Sequence, residues 1–195
     1  MAAEQPELFV PDTTAWRRWL DQHHTQPDGV WLVLAKKGTT DPTSLSYDRA
    51  LEEALCYGWI DGQAGRRDEA TYKQRFTPRR RRSPWSKRNV DRAERLLAEG
   101  RMHPPGIAEM ERAKADGRWE DAYGGSAEIE VPPELVDALA ANPKARAMFE
   151  NLSRQNRYAI LYRLKTAKRA DTRAWRLEQF VAMLARGETI YPQKR

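Results

Sequence analysis

Hydrophobic and polar positions follow two different periods along this chain. In most of the sequence, apolar side chains recur every three to four residues, which is the period of an amphipathic helix. Trp16, Trp19 and Leu20 follow this pattern after the helix-start signal of residues 11–14 and predict a helix that ends near His24. The chain is therefore predicted to be mainly helical.

Three segments instead have the character of strands. Residues 30–35 form a short apolar run bounded by a glycine and two lysines, which indicates a buried strand. Residues 59–67 and 71–77 are predicted to form a hairpin around residues 68–70. In the second of these, Tyr72, Gln74 and Phe76 alternate with basic residues. The three segments predict a small antiparallel sheet of three strands.

The rest of the first 124 residues is predicted to be helical. Ser46 caps one helix and Gly58 closes it, since glycine readily ends a helix. Ser83 and Pro84 are predicted as the N-cap and the first position of another helix that reaches Gly100. A further helix is predicted over residues 105–116.

The C-terminal third reads as a small helical bundle. Four amphipathic segments follow one another there: one around Leu135, one from Asn142, one capped by Ser153 and one beginning at Asp171 or Thr172. The predicted architecture is α+β and predominantly helical, with the small antiparallel sheet packed against helices. Its parts are residues 1–124, a linker over 125–132, and a helical part over 133–195 that packs on the first.

Charge is concentrated in one region. The net charge is +6, yet residues 66–95 contain twelve Lys or Arg and only four Asp or Glu, a local excess of eight positive charges. The remaining residues therefore sum to −2. Such a region attracts an anionic ligand or an acidic protein partner, although a basic region also serves simply as a solvated surface.

Composition narrows the class of protein. The single cysteine, Cys56, excludes an intramolecular disulfide, and a buried inert thiol is expected from its place on an apolar helix face. The N-terminus lacks the pattern of a secretion signal and no apolar run is long enough to span a bilayer, so a cytoplasmic location is expected.

His23 and His24 are adjacent, which is poor spacing for a metal, and neither a metal nor a cofactor is predicted. No familiar catalytic or nucleotide-binding motif occurs, and the balance favours a protein that is not an enzyme.

A candidate ligand-binding site lies around the predicted helix start at residues 83–89. The first turn of a helix exposes unpaired amides and carries partial positive charge, and arginines precede it here, which suits a phosphate or carboxylate. Asp61 is expected to fix Arg79, and Trp85 to offer a flat face to a ring. The alternative is that Ser83 or Ser86 only caps the helix, Trp85 is core and the arginines are solvated. The predicted ligand-binding residues are Tyr57, Asp61, Arg79, Arg80, Ser83, Trp85, Ser86, Lys87 and Asn89.

Several separated stretches resemble one bacterial family. They are residues 54–62 (ALCYGWIDG), 76–79 (FTPR), 83–89 (SPWSKRN), 117–119 (GRW) and 167–173 (AKRADTR). Together they are similar to the YdeI/OmpD-associated (OmdA) family, with the resemblance expected over nearly the whole chain. Asp171 stands where the family usually has Glu. The resemblance implies a role in stress or bacteriocin protection and an association with an outer-membrane porin.

Three functions from different classes follow. The first is a non-enzymatic binding or adaptor protein of bacterial stress defence, with a basic anion-binding site. The second is a nucleic-acid-binding protein, because arginines beside exposed aromatic rings suit single strands. The third is a small-molecule enzyme of unknown reaction that uses Asp61, Tyr57 and Arg79.

Overall fold

The protein consists of two compact units, Met1–Tyr123 and Gly124–Arg195. A computed structural model describes residues 7–124 and 129–193. In these ranges the first unit contains a four-stranded sheet and four helices, and the second contains four helices. The predicted α+β, mainly helical class is confirmed. Residues 125–128 of the predicted linker lie outside the described residues, and residues 129–132 form neither helix nor strand.

The sheet has one more strand than predicted. Its strands are β1 (Glu7–Leu8), β2 (Val30–Ala35), β3 (Trp59–Arg66) and β4 (Thr71–Pro78), in the order β1-β2-β4-β3. The three predicted strands are antiparallel neighbours, but β1 pairs in parallel with β2, so the sheet is mixed. The prediction of three antiparallel strands is wrong in this respect, because a strand of two residues has no periodic pattern of its own.

The β3–β4 hairpin carries the candidate site at its open end. Trp59 lies opposite Pro78, and the register shifts between Asp61 and Ala64. Gln74 bridges the hairpin by donating from Nε2 to the carbonyl oxygen of Gly62 at 2.6 Å. β3 is the outermost strand on its side of the sheet.

Helices of the first unit enclose an aromatic core against the sheet. They are α1 (Thr13–His23), α2 (Tyr47–Cys56), α3 (Lys87–Ala98) and α4 (Pro104–Ala115). Trp16 is fully buried, with its ring 5.8 Å from Phe76 and 6.5 Å from Trp59. Its Nε1 donates to the Ala50 carbonyl oxygen at 3.0 Å, so that the polar atom of this core ring is satisfied.

Two glycines let the end of α2 approach its neighbours. Gly58 follows the helix with φ +74°, as expected for a glycine that closes a helix, and its carbonyl oxygen accepts from the Arg79 amide at 2.9 Å. Gly106 in α4 lies so close to the same helix end that a Cβ there would stand 2.2 Å from the Cys56 carbonyl oxygen. The α2–β3 corner, which leads to the site, is thus fixed from two sides.

The second unit has a separate core. Its helices are α5 (Pro133–Ala140), α6 (Pro143–Glu150), α7 (Arg154–Lys165) and α8 (Ala170–Ala185), which matches the four predicted segments. Buried Asn156 on α7 ties down the chain after α8: its Nδ2 donates to the Tyr191 carbonyl oxygen at 2.9 Å, and its Oδ1 accepts from the Tyr191 amide at 2.8 Å. The buried core consists of Leu135, Leu139, Ala145, Phe149, Ile160, Leu161, Leu164 and Leu184.

Candidate anion-binding site

A tight turn connects β4 to the segment before α3. The Ser83 amide donates to the Arg80 carbonyl oxygen at 2.9 Å, and the Arg80 amide donates to the Ser83 Oγ at 2.9 Å. Ser83 therefore closes a turn and does not cap a helix. The prediction that the helix starts at Ser83 and Pro84 is wrong.

Helix α3 begins at Lys87, with Ser86 as its N-cap. The Ser86 Oγ accepts from the Asn89 amide at 3.3 Å, and the Lys87 amide donates to the Tyr123 carbonyl oxygen at 2.9 Å. The start is delayed because Trp85 also pairs through its main chain with Tyr123, at 3.1 Å, which holds the chain extended as far as Ser86. Two amides that were expected to be available to a ligand are thus hydrogen-bonded within the chain.

Trp85 and Arg79 pack together in the interior of the first unit. Trp85 is only 2% exposed and Arg79 only 6%. The guanidinium carbon of Arg79 lies 3.6 Å from the centre of the Trp85 ring, which is the geometry of a cation–π contact. Trp119 adjoins the same ring at 4.7 Å. Trp85 thus has no open face on which a planar ligand stacks.

Arg118 also belongs to this cluster, although it was not among the predicted site residues. Its Nη1 donates to the Ser83 carbonyl oxygen at 2.8 Å, and Arg79 Nη1 donates to the next carbonyl oxygen, that of Pro84, at 3.1 Å. Asp116 pairs with Arg118 through Nε at 2.7 Å. The one sequence signal for Arg118 was its place in the stretch 117–119, which belongs to the family resemblance.

The electrostatics of the cluster are dominated by burial. Burial lowers the pKa of Arg79 to about 9, although the nearby Tyr123 and Asp61 favour its charged form. Arg118 acts in the opposite direction, because two like charges repel. The guanidinium of Arg79 is nevertheless charged at neutral pH.

Asp61 and Tyr57 are each engaged elsewhere. Asp61 accepts a hydrogen bond from the Tyr47 hydroxyl at 2.9 Å, and burial, together with this carboxylate, raises the pKa of Tyr47. The Tyr57 hydroxyl donates to Asp21 at 3.4 Å, and its ring stacks on His103 at 4.1 Å. Burial raises the pKa of Tyr57 to about 12. Because burial and the neighbouring carboxylates raise the pKa of both hydroxyls, neither is activated as a nucleophile at neutral pH.

The exposed cations of the segment lie outside this buried cluster. Arg80 and Lys87, both predicted site residues, are exposed, as are three further arginines. We call this group the basic surface, and it consists of Arg80, Arg81, Arg82, Lys87 and Arg88. The structure thus divides the predicted site into a buried part around Arg79 and an exposed basic surface.

A second charged cluster surrounds Glu53. This carboxylate is buried, with only 1% of the residue exposed. Arg17 holds its two carboxylate oxygens at 2.6 and 2.9 Å, and Arg101 donates to it at 2.8 Å. All three residues are ion-paired, so this cluster is structural.

Other kinds of site have less support. Among the described residues, no three or more His, Cys, Asp or Glu are grouped so as to hold a metal ion. None of the described helices has both the length and the apolar character that crossing a membrane requires. A groove of about 460 Å³ in the second unit contains none of the predicted site residues. It is lined by Ile129, Glu130, Val131, Pro132, Pro133, Leu161, Lys165 and Arg173.

Two family models match the chain. A model described as a domain of unknown function, DUF8412, matches residues 8–109, which is more than half of the 195 residues, and the chain belongs to this family. The model described as "Bacteriocin-protection, YdeI or OmpD-Associated" (OmdA) matches residues 128–187. The resemblance to OmdA is thereby confirmed over the C-terminal part, whereas the stretches at residues 54–89 fall within the DUF8412 match. The curated proteins and the solved structures gave no match.

Proposed function

We propose that this protein is a non-enzymatic binding or adaptor protein of the bacteriocin-protection type, which holds an acidic partner on its basic surface. The match to a bacteriocin-protection family supports the general role. The proposal includes a cytoplasmic location.

The observation that carries the proposal is a difference in charge pairing between the basic surface and the rest of α3. Further along the helix, Arg92 pairs with Asp48 at 2.5 Å, and Arg95 pairs with Glu52 at 2.5 Å. The five cations of the basic surface, by contrast, form no ion pair with any residue in the described ranges. Charges without intramolecular partners attract an acidic molecule and repel a cationic one. Direct capture of a cationic peptide on this surface is therefore disfavoured.

The two alternatives fit the geometry less well. A nucleic-acid site for single strands needs aromatic faces beside its arginines, but Trp85 is buried between Arg79 and Trp119. An enzyme that uses Asp61 and Tyr57 together needs them to converge, but their side chains contact Tyr47 and Asp21, respectively. We therefore favour the binding protein.

The test is a charge reversal confined to exposed positions. Arg80→Glu, Arg82→Glu and Lys87→Glu are combined in the full-length chain, and binding of a fluorescent Glu-rich peptide is measured by anisotropy at two salt concentrations. We expect loss of binding with an unchanged thermal midpoint, because the three side chains are exposed. Arg79 is excluded from this set because its reversal would bury a carboxylate.

The matched control makes the same charge change in the second unit: Lys144→Glu, Arg154→Glu and Lys168→Glu, all at exposed positions. Loss of peptide binding only in the first variant supports the proposal. Equal binding by the wild type and both variants contradicts it. A single-stranded oligonucleotide measured in parallel would bind more tightly than the peptide, and with a steeper salt dependence, if the partner were a nucleic acid.

A further inference from the structure

The buried guanidinium of Arg79 has one edge without a partner. Its face lies against Trp85, and its Nη1 donates to the Pro84 carbonyl oxygen at 3.1 Å. Its Nε and Nη2 are completely shielded from solvent, and no hydrogen-bond acceptor for either occurs among the described residues. An unpaired polar group in a protein interior is unfavourable and rare, so this edge points to a ligand.

The geometry of this edge determines which kind of ligand it binds. The Nε–H and Nη2–H bonds of an arginine are roughly parallel and match the two oxygens of a planar anion. The same edge of Arg17 holds Glu53 in this way, at 2.6 and 2.9 Å. The same edge of Arg186 holds Glu188, at 3.0 and 2.8 Å. In both of these arginines, the Nε–Nη2 edge thus binds a carboxylate.

Two further donors of the same cluster have no partner. Arg118 Nη2 and Trp85 Nε1 are also buried without a hydrogen-bond partner in the described part of the chain. Other core indoles differ, since Trp16 and Trp59 donate to carbonyl oxygens at 3.0 and 2.9 Å. Because all of these unpartnered atoms in the Arg79 cluster are donors, a ligand there needs acceptors only.

The ion pairs of the cluster indicate the net charge of the ligand. Asp116 pairs with Arg118, whereas the carboxylate of Asp61 accepts from Tyr47 and forms no ion pair with Arg79. Among the described residues, Arg79 is thus the cation of this cluster that lacks a paired carboxylate. A monoanion balances that charge, whereas a phosphate dianion would leave a buried negative charge.

We propose that Arg79, with Arg118 and Trp85, binds a small monocarboxylate in the interior of the first unit, with both carboxylate oxygens on the Nε–Nη2 edge of Arg79. Because the donors are shielded from solvent, the ligand is a small molecule and not an acidic side chain of a folded partner. This site is independent of the basic surface, since the two share no side chain. An experiment can therefore contradict the carboxylate site or the basic surface without contradicting the other.

The test observes the Arg79 Nε–H directly in the full-length chain. Side-chain ¹H–¹⁵N spectra are recorded during titration with sodium acetate, with sodium chloride at matched ionic strength as the control. The Arg79 signal is assigned by its loss in Arg79→Lys. We expect a saturable shift of this signal with acetate alone, because a charge-assisted hydrogen bond replaces an unpaired N–H.

Affinity measurements on variants complete the test. Arg79→Lys keeps the charge but removes the two parallel donors, and it should weaken acetate binding on the order of tenfold or more, whereas Arg154→Lys at an exposed position of the second unit should not. Should Arg79→Lys fail to fold, Arg118→Lys replaces it, and assignment of the wild-type Nε–H then comes from through-space contacts to Trp85. A shift that does not saturate, the same shift with chloride, or saturation by inorganic phosphate alone would overturn the proposal.

Discussion

Cys56 shows how the surroundings of one residue determine its reactivity. It is the last residue of α2 and is completely buried. Burial raises the pKa of its thiol to about 11, and the nearby Glu53 carboxylate acts in the same direction. The nucleophilic thiolate is therefore scarce at neutral pH, and Cys56 serves as a small core residue.

The raised pKa of the Cys56 thiol predicts a loss of stability at alkaline pH. In the unfolded chain the thiol ionises near its ordinary pKa of 8.5–9, whereas in the folded protein it stays neutral until about pH 11. Its contribution to stability is complete below pH 8.5 and decreases as the pH rises to 11. Between pH 8 and 10.5 the wild type should lose about 2 kcal/mol more free energy of unfolding than Cys56→Ala, measured with urea. Equal losses in the two proteins would contradict the expectation.

Which of the four consecutive arginines 79–82 is buried could not be predicted from the sequence. The sequence identifies them as one basic run, but only Arg79 is buried and the other three are exposed. The division arises because β4 ends at Pro78 and the chain then turns back between Arg80 and Ser83. The turn, the buried Trp85 and the distant Arg118 together determine which arginine enters the core, and local periodicity contains none of this information.

Among the secondary-structure elements, α1 and α2 are joined by the Glu53 ion pairs. Glu53 lies on α2, Arg17 on α1, and Arg101 in the connection that precedes α4. A buried carboxylate is tolerated here because two guanidinium groups satisfy it. The three segments are therefore held in register by charge as well as by apolar packing.

Replacement of Glu53 by glutamine should loosen this junction. The change keeps the shape of the side chain but leaves Arg17 and Arg101 facing a neutral amide. We expect a loss of about 2–4 kcal/mol in the free energy of unfolding, which is moderated by the partial exposure of both arginines. The matched control is Glu111→Gln, in an exposed pair with Lys114 at 3.0 Å, where the loss should be below about 1 kcal/mol. Similar losses at the two positions would show that Glu53 is not a structural centre.

Most elements could be predicted because their apolar residues recur with clear periods. Leu51 and Leu55, four residues apart, are buried on α2 as expected, and Phe76 is buried on β4. Two features were not predicted, for physical reasons. A two-residue strand gains its stability from its partner and not from its own pattern, and the start of α3 depends on pairing with Tyr123, far along the chain.

For the whole molecule, the main feature is the presence of two separate hydrophobic cores. Six of the seven tryptophans lie in the first unit, and the seventh, Trp175, is 60% exposed on α8. The second core is instead aliphatic apart from Phe149, as its buried residues show. Tryptophan fluorescence therefore reports mainly on the first unit, whereas far-ultraviolet circular dichroism reports on the helices of both.

Leu161→Ala tests whether the cores unfold as distinct entities. Leu161 is 1% exposed in the second core, and removal of its side chain should cost about 2–5 kcal/mol. During thermal unfolding, the midpoint from circular dichroism should fall further than the midpoint from fluorescence. Leu32→Ala in the first core is the matched control and should lower the fluorescence midpoint more. Equal shifts of both probes in both variants would indicate a single cooperative unit.

The fold class followed from the sequence more readily than the site did. Alternating strand patterns and amphipathic helices were enough to predict an α+β chain with a helical C-terminal part. The Arg79–Arg118 cluster, by contrast, depends on side chains 39 positions apart that donate to neighbouring carbonyl oxygens. Such a convergence arises from tertiary packing, which composition and spacing do not encode.

The outer position of β3 also affects how copies of this chain behave at high concentration. A strand at the margin of a sheet offers a template on which identical chains can stack into fibrils. In β3 the register shift between Asp61 and Ala64 interrupts that template, and the exposed Arg66 brings like charges together when copies approach. The irregularity and the charge together make β3 a poor template for such stacking.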